Sequence, residues 1–436
     1  MTANFKLFRE IFFIVLIGVL LVVRFVNIDV ENEQIKLFVF YYSIAIGAYL
    51  FSKIRFTNAI NPISIFVPFL FLLSYSFIRL SDQQVPYSWK TFSIINISIF
   101  SYLFFASLHY DYKPIKIFKF NNSLRRKFIF FICIMTYLTF VLECYLFGFV
   151  PIFNILNSSL YLETNDKLIP FLHYFIVLNS FIPAWLYIYY KEKIISKKVF
   201  RILLLGSIFI LLNYLSRQVH LLFILSFFIS YLYYNKLNMK SLFRIVVVVI
   251  LVFFGVGYLK TDSEMTISAS EYFRILAGVS NDQVSLFEAV FVEYSSKRFS
   301  VLDAMVNLSD KINYLGYGIY TFRPFLSFFL FEKIGVVQRI PELNSEVRVG
   351  TFLIDPYLDF GIIGVFIINS FYGYLSARYY NQFKENRPEA IIKFSIIIFC
   401  VFMGMFINYY NSMLIWLGFI FNKMLIGGLK SENKFI

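Results

Sequence analysis

The sequence predicts an all-α polytopic membrane protein with about twelve transmembrane helices and one large structured extracytoplasmic loop. Three observations carry that expectation. Hydrophobic residues make up 59% of the 436 and charged residues only 15%, where a soluble domain has about half and about a quarter. Apolar runs of bilayer-crossing length, about 20 residues, recur along the whole chain. The loops between them alternate between rich and poor in Lys and Arg. Such a composition excludes an ordinary soluble protein and a disordered one. The formal net charge of +14 would suggest nucleic acid on a soluble surface. Here it is concentrated in alternate loops and reads as a topology signal, so no nucleic-acid partner is expected.

The apolar runs lie near 8–26, 36–52, 60–78, 91–108, 128–147, 168–190, 199–216, 218–235, 243–259, 351–377, 391–408 and 412–428. The first lacks a small-residue cleavage site and many others follow it, so a retained helix is expected rather than a signal peptide. Residues 199–235 could be one helix, but Asn213, Ser216, Arg217 and His220 interrupt the run. Residues 391–428 are split likewise between Asn408 and Ser412. Both are expected as tight helical hairpins turning near the membrane surface. Positive charge follows the even-numbered runs: Lys53 and Arg55 after the second, Lys113 through Lys127 after the fourth, Lys191 through Arg201 after the sixth. The other short loops hold few cations, such as Arg24 and Lys36, or Lys167 alone. The positive-inside bias therefore puts both termini in the cytoplasm. The expected organisation is spans one to nine over 1–259, an outer loop over 260–350, and spans ten to twelve with a cytoplasmic C-terminus over 351–436.

The 260–350 loop is unlike the rest. It carries nine Lys or Arg against eleven Asp or Glu, so it lacks the bias of an inner loop. The segment near 268–307 has helical periodicity, with Tyr272, Phe273, Leu276, Val301, Leu302 and Met305 on apolar faces. Residues 319–337 are too short and too interrupted to cross, and read as an interfacial or re-entrant helix. A loop longer than about 15 residues is usually functional or disordered, and this one is too apolar for disorder. Function is therefore expected at the outer face. The chain shows no internal repeat of the kind many secondary transporters carry.

No GxGxxG, Walker A loop, HExxH or GxSxG occurs. Cys133, Cys144 and Cys400 sit apart in apolar runs with no CxxC pair, so no zinc site, disulfide framework or cofactor is expected. Arg217 stands between two apolar runs, where a charge is costly and usually faces a cavity or a polar partner. Its planar fork suits phosphate or carboxylate oxygens, and His220 lies three residues on, on the same helix face. The plain alternative is a snorkelling Arg that marks the turn. Arg323, Arg339 and Arg348 form a second group in the loop, and Arg323 precedes Pro324 at the start of an apolar run. Singly they read as loop charge; as a set with Arg217 they suggest an anionic ligand such as pyrophosphate. Asp355 and Asp359 are four apart, on one helical face entering the tenth span. They read as dipole-favoured acids at a helix start, with Asp355 as N-cap before Pro356, as partners of an arginine, or as a general base. Gly361, Gly364 and Gly373 on that span suggest close helix packing. Asp29, Glu31 and Glu33 in the first outer loop form a minor rival site.

The run Gly316-Tyr-Gly-Ile-Tyr-Thr-Phe-Arg-Pro-Phe325, then Lys333-Ile-Gly335, Pro341-Glu342 and Thr351-Phe-Leu-Ile-Asp-Pro-Tyr-Leu-Asp-Phe-Gly-Ile-Ile-Gly364, resembles the Wzy-type oligosaccharide repeat-unit polymerases of bacterial O-antigen and capsular polysaccharide. That family ends its large outer loop with a Thr-containing stretch leading into Asp-Phe-Gly and a glycine-bearing span. Ser216-Arg217 resembles its Ser-Arg step at an outer helical turn. The resemblance covers about residues 200–377 by motif and the whole chain by topology.

The resemblance implies a multi-pass enzyme of the bacterial inner membrane, acting on glycans linked to undecaprenyl pyrophosphate on the outer leaflet. The growing glycan passes from its carrier to the non-reducing-end hydroxyl of a new lipid-linked repeat unit, and undecaprenyl pyrophosphate leaves. No metal or cofactor is implied. Arg217, Arg323, Arg339 and Arg348 become the groups that neutralise the leaving pyrophosphate. His220, Asp355, Asp359, Glu342 and Glu346 become candidates to orient or deprotonate the attacking hydroxyl. Tyr317, Tyr320 and Tyr357 are candidates to stack on sugars. A chain-length regulator and a flippase are implied as partners. The nearest rival is an O-antigen ligase, which usually places a histidine in the large outer loop; this chain has none between 260 and 350. A flippase or other transporter is the rival from another class.

Overall fold

A computed structural model describes residues 30–56, 58–78, 87–110, 121–154, 167–169, 171–214, 216–235, 271, 274–275, 285–312, 315–328, 350–385 and 387–429. Among the described residues every regular element is helical. In chain order these are α1 (Val30–Arg55), α2 (Val67–Ile78), α3 (Trp89–Ser107), α4 (Asn122–Phe147), α5 (His173–Leu178), α6 (Ile182–Lys191) and α7 (Lys197–Asn213). They continue as α8 (Arg217–Tyr234), α9 (Leu286–Tyr294), α10 (Ser296–Ile312), α11 (Arg323–Phe328), α12 (Ile354–Lys384), α13 (Glu389–Met403) and α14 (Met413–Ile426).

These helices overlap the apolar runs read from the sequence, with differences that have local causes. The third run is helical only from Val67, because Asn61 folds the segment before it into a turn, its side-chain oxygen accepting from the Ile63 and Ser64 N–H groups. The sixth run is broken at Asn179–Phe181 into α5 and α6, with a proline in the first turn of α6. The run 199–235 divides between Asn213 and Arg217, as its polar residues predict. The run 391–428 divides around a single 3-10 turn at Tyr409–Asn411. The expected spans at 8–26 and 243–259 lie outside the described residues.

Local signals fix the helix ends. Asn121 accepts the Leu124 N–H at the start of α4, and Gly148 closes it at φ 81°, a left-handed position that favours glycine. Ser88 caps α3 in the same way. α1, α3, α4 and α12 are each long and apolar enough to cross a bilayer. Along α4, Phe131, Ile134, Leu138, Val141 and Tyr145 form an exposed stripe at helical spacing. Soluble monomers rarely leave so long an apolar face uncovered. Lengths and faces together are consistent with a membrane protein.

The described residues fall into two compact units. The first is drawn from Met1–Asp111, Ser270–Tyr380 and Cys400–Met413, the second from Tyr112–Ala269, Asn381–Phe399 and Leu414–Ile436. In the first, Phe66 stacks on Tyr102 at 4.2 Å, and the Tyr102 hydroxyl lies 2.9 Å from Ser376. Gly373 lets α12 approach α3, since a Cβ there would sit 2.5 Å from the Tyr102 carbonyl. The part of the 260–350 segment within α9 and α10 is anchored to this unit. Asp303 accepts from the Ser88 N–H at 2.7 Å and the Thr91 hydroxyl at 2.6 Å, completing the N-terminus of α3. Glu293 pairs with Arg298 and, at 3.8 Å, with Lys297; burial nevertheless pushes its carboxyl above the ordinary range.

The second unit is closed by polar groups at the cation-rich ends of its helices. Arg125 donates to the carbonyls of Leu425 and Gly427 at 3.0 and 2.6 Å, satisfying the end of α14. The buried carboxylate of Glu389 faces Lys393 at 3.2 Å, Lys423 at 3.4 Å and the Gly428 N–H at 3.2 Å. Asn422 joins the Trp185 indole to the Glu389 carbonyl.

Candidate functional site

α12 does not run straight. Gly361 lies at φ 63°, ψ −150°, a backbone region that only glycine enters without strain. Next to this break, the carbonyls of Leu358 and Asp359 accept from the N–H groups of Gly316 and Tyr317, at 2.8 and 3.2 Å. The Asp359 side chain is 0% exposed. Its Oδ1 accepts the Tyr320 N–H at 3.1 Å and its Oδ2 the Thr321 N–H at 2.6 Å. Gly316 is required beside it, because a Cβ there would lie 2.6 Å from Oδ1.

Asp355, one turn earlier, accepts at Oδ2 from the side-chain amides of Asn408 and Asn411, at 2.8 and 2.6 Å. The Asn411 amide also donates to the Tyr320 carbonyl at 2.7 Å. The two acids lie one turn apart, as their spacing predicts: Asp359 holds the Tyr320–Thr321 turn directly, and Asp355 is joined to it through Asn411. α11 begins at Arg323 just past that turn. Two sequence expectations are corrected here. α12 starts at Ile354, and the Asp355 carboxylate binds asparagines instead of capping the helix. Gly361 and Gly364 serve the break and not a neighbouring helix: a Cβ at Gly364 would meet the Pro356 carbonyl at 2.2 Å.

The second unit holds a cluster that the sequence reading passed over. Glu143 lies in the last turns of α4 and is 3% exposed. Its two oxygens are 3.0 and 3.1 Å from Nδ1 of His173, the residue that opens α5. His173 Nε2 lies 3.4 Å from the Tyr214 hydroxyl, just past the end of α7. The carboxylate favours the tautomer with its proton on Nδ1 and leaves Nε2 as the basic nitrogen. Nearby in the chain, Asn213 accepts the Ile152 N–H at 3.0 Å, and α8 begins at Arg217. His220 is buried, with Nδ1 2.7 Å from the Ser216 carbonyl in the first turn of α8.

Arg217 and His220 thus stand in the second unit, and Arg323, Asp355 and Asp359 in the first. The side chain of Arg217 lies outside the described residues, as do Arg339, Arg348, Glu342, Glu346 and Asp29; the same holds for the side chains of Glu31 and Glu33. Of the tyrosines singled out, Tyr317 is exposed at φ 50°, Tyr320 belongs to the Asp359 turn, and Tyr357 donates to Asp310 at 2.9 Å. A signal for Glu143 was present, since a lone acid inside an apolar run marks a polar site by default. Its partner, 30 residues away, has no signal in spacing. Among the described residues no group of three His, Cys, Asp or Glu gathers to hold a metal ion. No family model, curated protein or solved structure matches the chain.

Proposed function

We propose that this chain polymerises undecaprenyl-pyrophosphate-linked oligosaccharide repeat units at the outer face of the bacterial inner membrane. It transfers the growing glycan from its carrier to the hydroxyl of a new lipid-linked repeat, from a frame of about twelve spans with both termini cytoplasmic. One observation carries the reading. The two runs that bear the family resemblance, Gly316–Phe325 and Thr351–Gly364, lock onto each other through the Asp359 carboxylate and the backbone beside Gly361. Residues distant in sequence that share a motif and a site support a common task. In this reading Asp359 positions the turn that carries Tyr320 and Arg323. Asp355, held by two amides, is available to orient a sugar hydroxyl or an arginine. Arg323, with Arg339 and Arg348 of the same loop, neutralises the leaving pyrophosphate; Arg217 is a further fork for an anion, and His220 helps order the turn before α8. An O-antigen ligase remains the second reading, on the strength of shared architecture alone.

The test is the glycan length on undecaprenyl pyrophosphate in a strain lacking the gene, divided by leaflet with an impermeant glycosidase. Single repeats trapped on the outer leaflet are expected. Long polymers left on the carrier would indicate a ligase, single repeats confined to the inner leaflet a flippase, and an unchanged pool would refute the glycan reading.

Arg217 offers a finer probe. Arg217→Ala is expected to reach the membrane and abolish polymer. Arg217→Lys keeps the charge but loses the bidentate fork, and is expected to lower polymer formation about tenfold. Normal polymer from a well-expressed Arg217→Ala would remove this residue from the site.

A further inference from the structure

We infer that Glu143 and His173, beside Tyr214, form a proton-accepting site for the hydroxyl of the acceptor sugar. The inference rests on the glycan-transfer reading above and adds to it a pair of residues that reading does not contain. The geometry is that of an oriented base. Both Glu143 oxygens lie within 3.1 Å of a single ring nitrogen, which fixes the imidazole in place and turns Nε2 away from the carboxylate. Nε2 faces a hydroxyl already, that of Tyr214, but at 3.4 Å, beyond the roughly 2.7–3.2 Å of a well-formed nitrogen–oxygen hydrogen bond. A substrate hydroxyl can displace this loose partner or pass its proton through it. Carboxylate, imidazole and hydroxyl in that order make up the arrangement by which a general base is held and its charge compensated.

Position supports the assignment. Glu143 is near the end of α4, His173 opens α5, and Tyr214 follows α7. The opposite ends of these helices carry Arg125, Arg126 and Lys127 at the start of α4, and Lys197 and Lys198 at the start of α7. By the positive-inside bias the triad is at the outer end, where lipid-linked sugars stand in the reading above. Arg217, the residue read as a pyrophosphate fork, follows Tyr214 by three positions and opens α8. The imidazole is 17% exposed, so it is neither sealed in the core nor free in solvent.

The step balances without a further reagent. The acceptor hydroxyl oxygen attacks the anomeric carbon of the donor glycan, and the new C–O bond forms as the bond to the pyrophosphate oxygen breaks. The pyrophosphate leaves with the bonding electrons. The hydroxyl proton moves to His173 Nε2, and Glu143 stabilises the imidazolium until the proton is lost to water.

A purely structural histidine–glutamate pair would tie α4 to α5 and do no chemistry, so the experiment has to separate the two. Polymerisation of lipid-linked repeats is measured in membranes containing the full chain, with wild type, His173→Ala and Glu143→Gln at matched protein levels. His173→Ala is expected to lower the rate about 10²–10⁴-fold, the usual worth of a positioned base, with binding of the lipid-linked repeat retained. Glu143→Gln is expected to lower it by a smaller factor. Added imidazoles of graded basicity are expected to restore His173→Ala in proportion to their basicity, which marks proton transfer. Restoration independent of basicity would show cavity filling and overturn the proposal, as would a His173→Ala variant with the wild-type rate. If His173→Ala fails to reach the membrane, the nearly isosteric Glu143→Gln decides, and an unchanged rate overturns the proposal. In each of these cases wild-type polymer shows that the glycan reading stands; membranes with wild-type protein and no polymer would overturn both.

Discussion

Asp359→Ala is expected to cost about 4 kcal/mol of folding stability and to abolish activity with it. The carboxylate is wholly buried, and each oxygen serves one backbone N–H. Truncation leaves both donors buried without their charged acceptor, at about 1–3 kcal/mol each, and opens a cavity. Asp359→Asn should cost about half as much, because its amide oxygen serves one donor while its NH₂ faces the other. Thermal unfolding in detergent reads both values. If Asp359→Ala melts with wild type, the turn at Tyr320 is held by other means and its part in the site is lost.

Gly361→Ala is expected to cost about 1–3 kcal/mol, through the backbone alone. A Cβ at this position meets nothing within 4 Å, so no steric clash contributes. The cost comes from φ 63°, ψ −150°, which an alanine relieves by straightening the helix. Straightening withdraws the carbonyls of Leu358 and Asp359 from Gly316 and Tyr317. Polymer formation should therefore fall further than stability does, while Gly148→Ala, at a helix end of the other unit, should lower stability alone. Equal activity of Gly361→Ala and wild type would show that the break in α12 is dispensable.

Much of the helical frame could be read from periodicity and polar interruptions. Asn213 to Arg217 marks a real end and restart of helix, and Arg323-Pro324 a real start. The common face of Asp355 and Asp359 follows from a spacing of four. What the acids bind does not follow, because their partners come from residues 38 to 56 positions away, and spacing carries no such information. The break at Gly361 was hidden for a different reason. A glycine in an apolar span reads equally as a packing contact or a hinge, and of Gly361, Gly364 and Gly373 only Gly373 is the former. The gap between α5 and α6 falls at Asn179 and Ser180, two polar residues too few to lower the hydropathy of a long apolar run. Glu143 and His173 were visible as residues but not as a pair.

Arg125 and Glu389 also bear on how the second unit comes to exist. Arg125 leaves the ribosome 300 residues before the Leu425 carbonyl that it binds. Glu389 precedes Lys423 and Gly428, its later partners, by 34 and 39 residues. Vectorial synthesis therefore leaves an arginine at the start of α4 waiting while most of the chain is inserted. α14 acts as a keystone: its arrival gives the guanidinium two carbonyls to cap. A chain halted before α14 would lack both carbonyl acceptors, a chemical difference by which membrane quality control can tell such a copy from one that carries the helix.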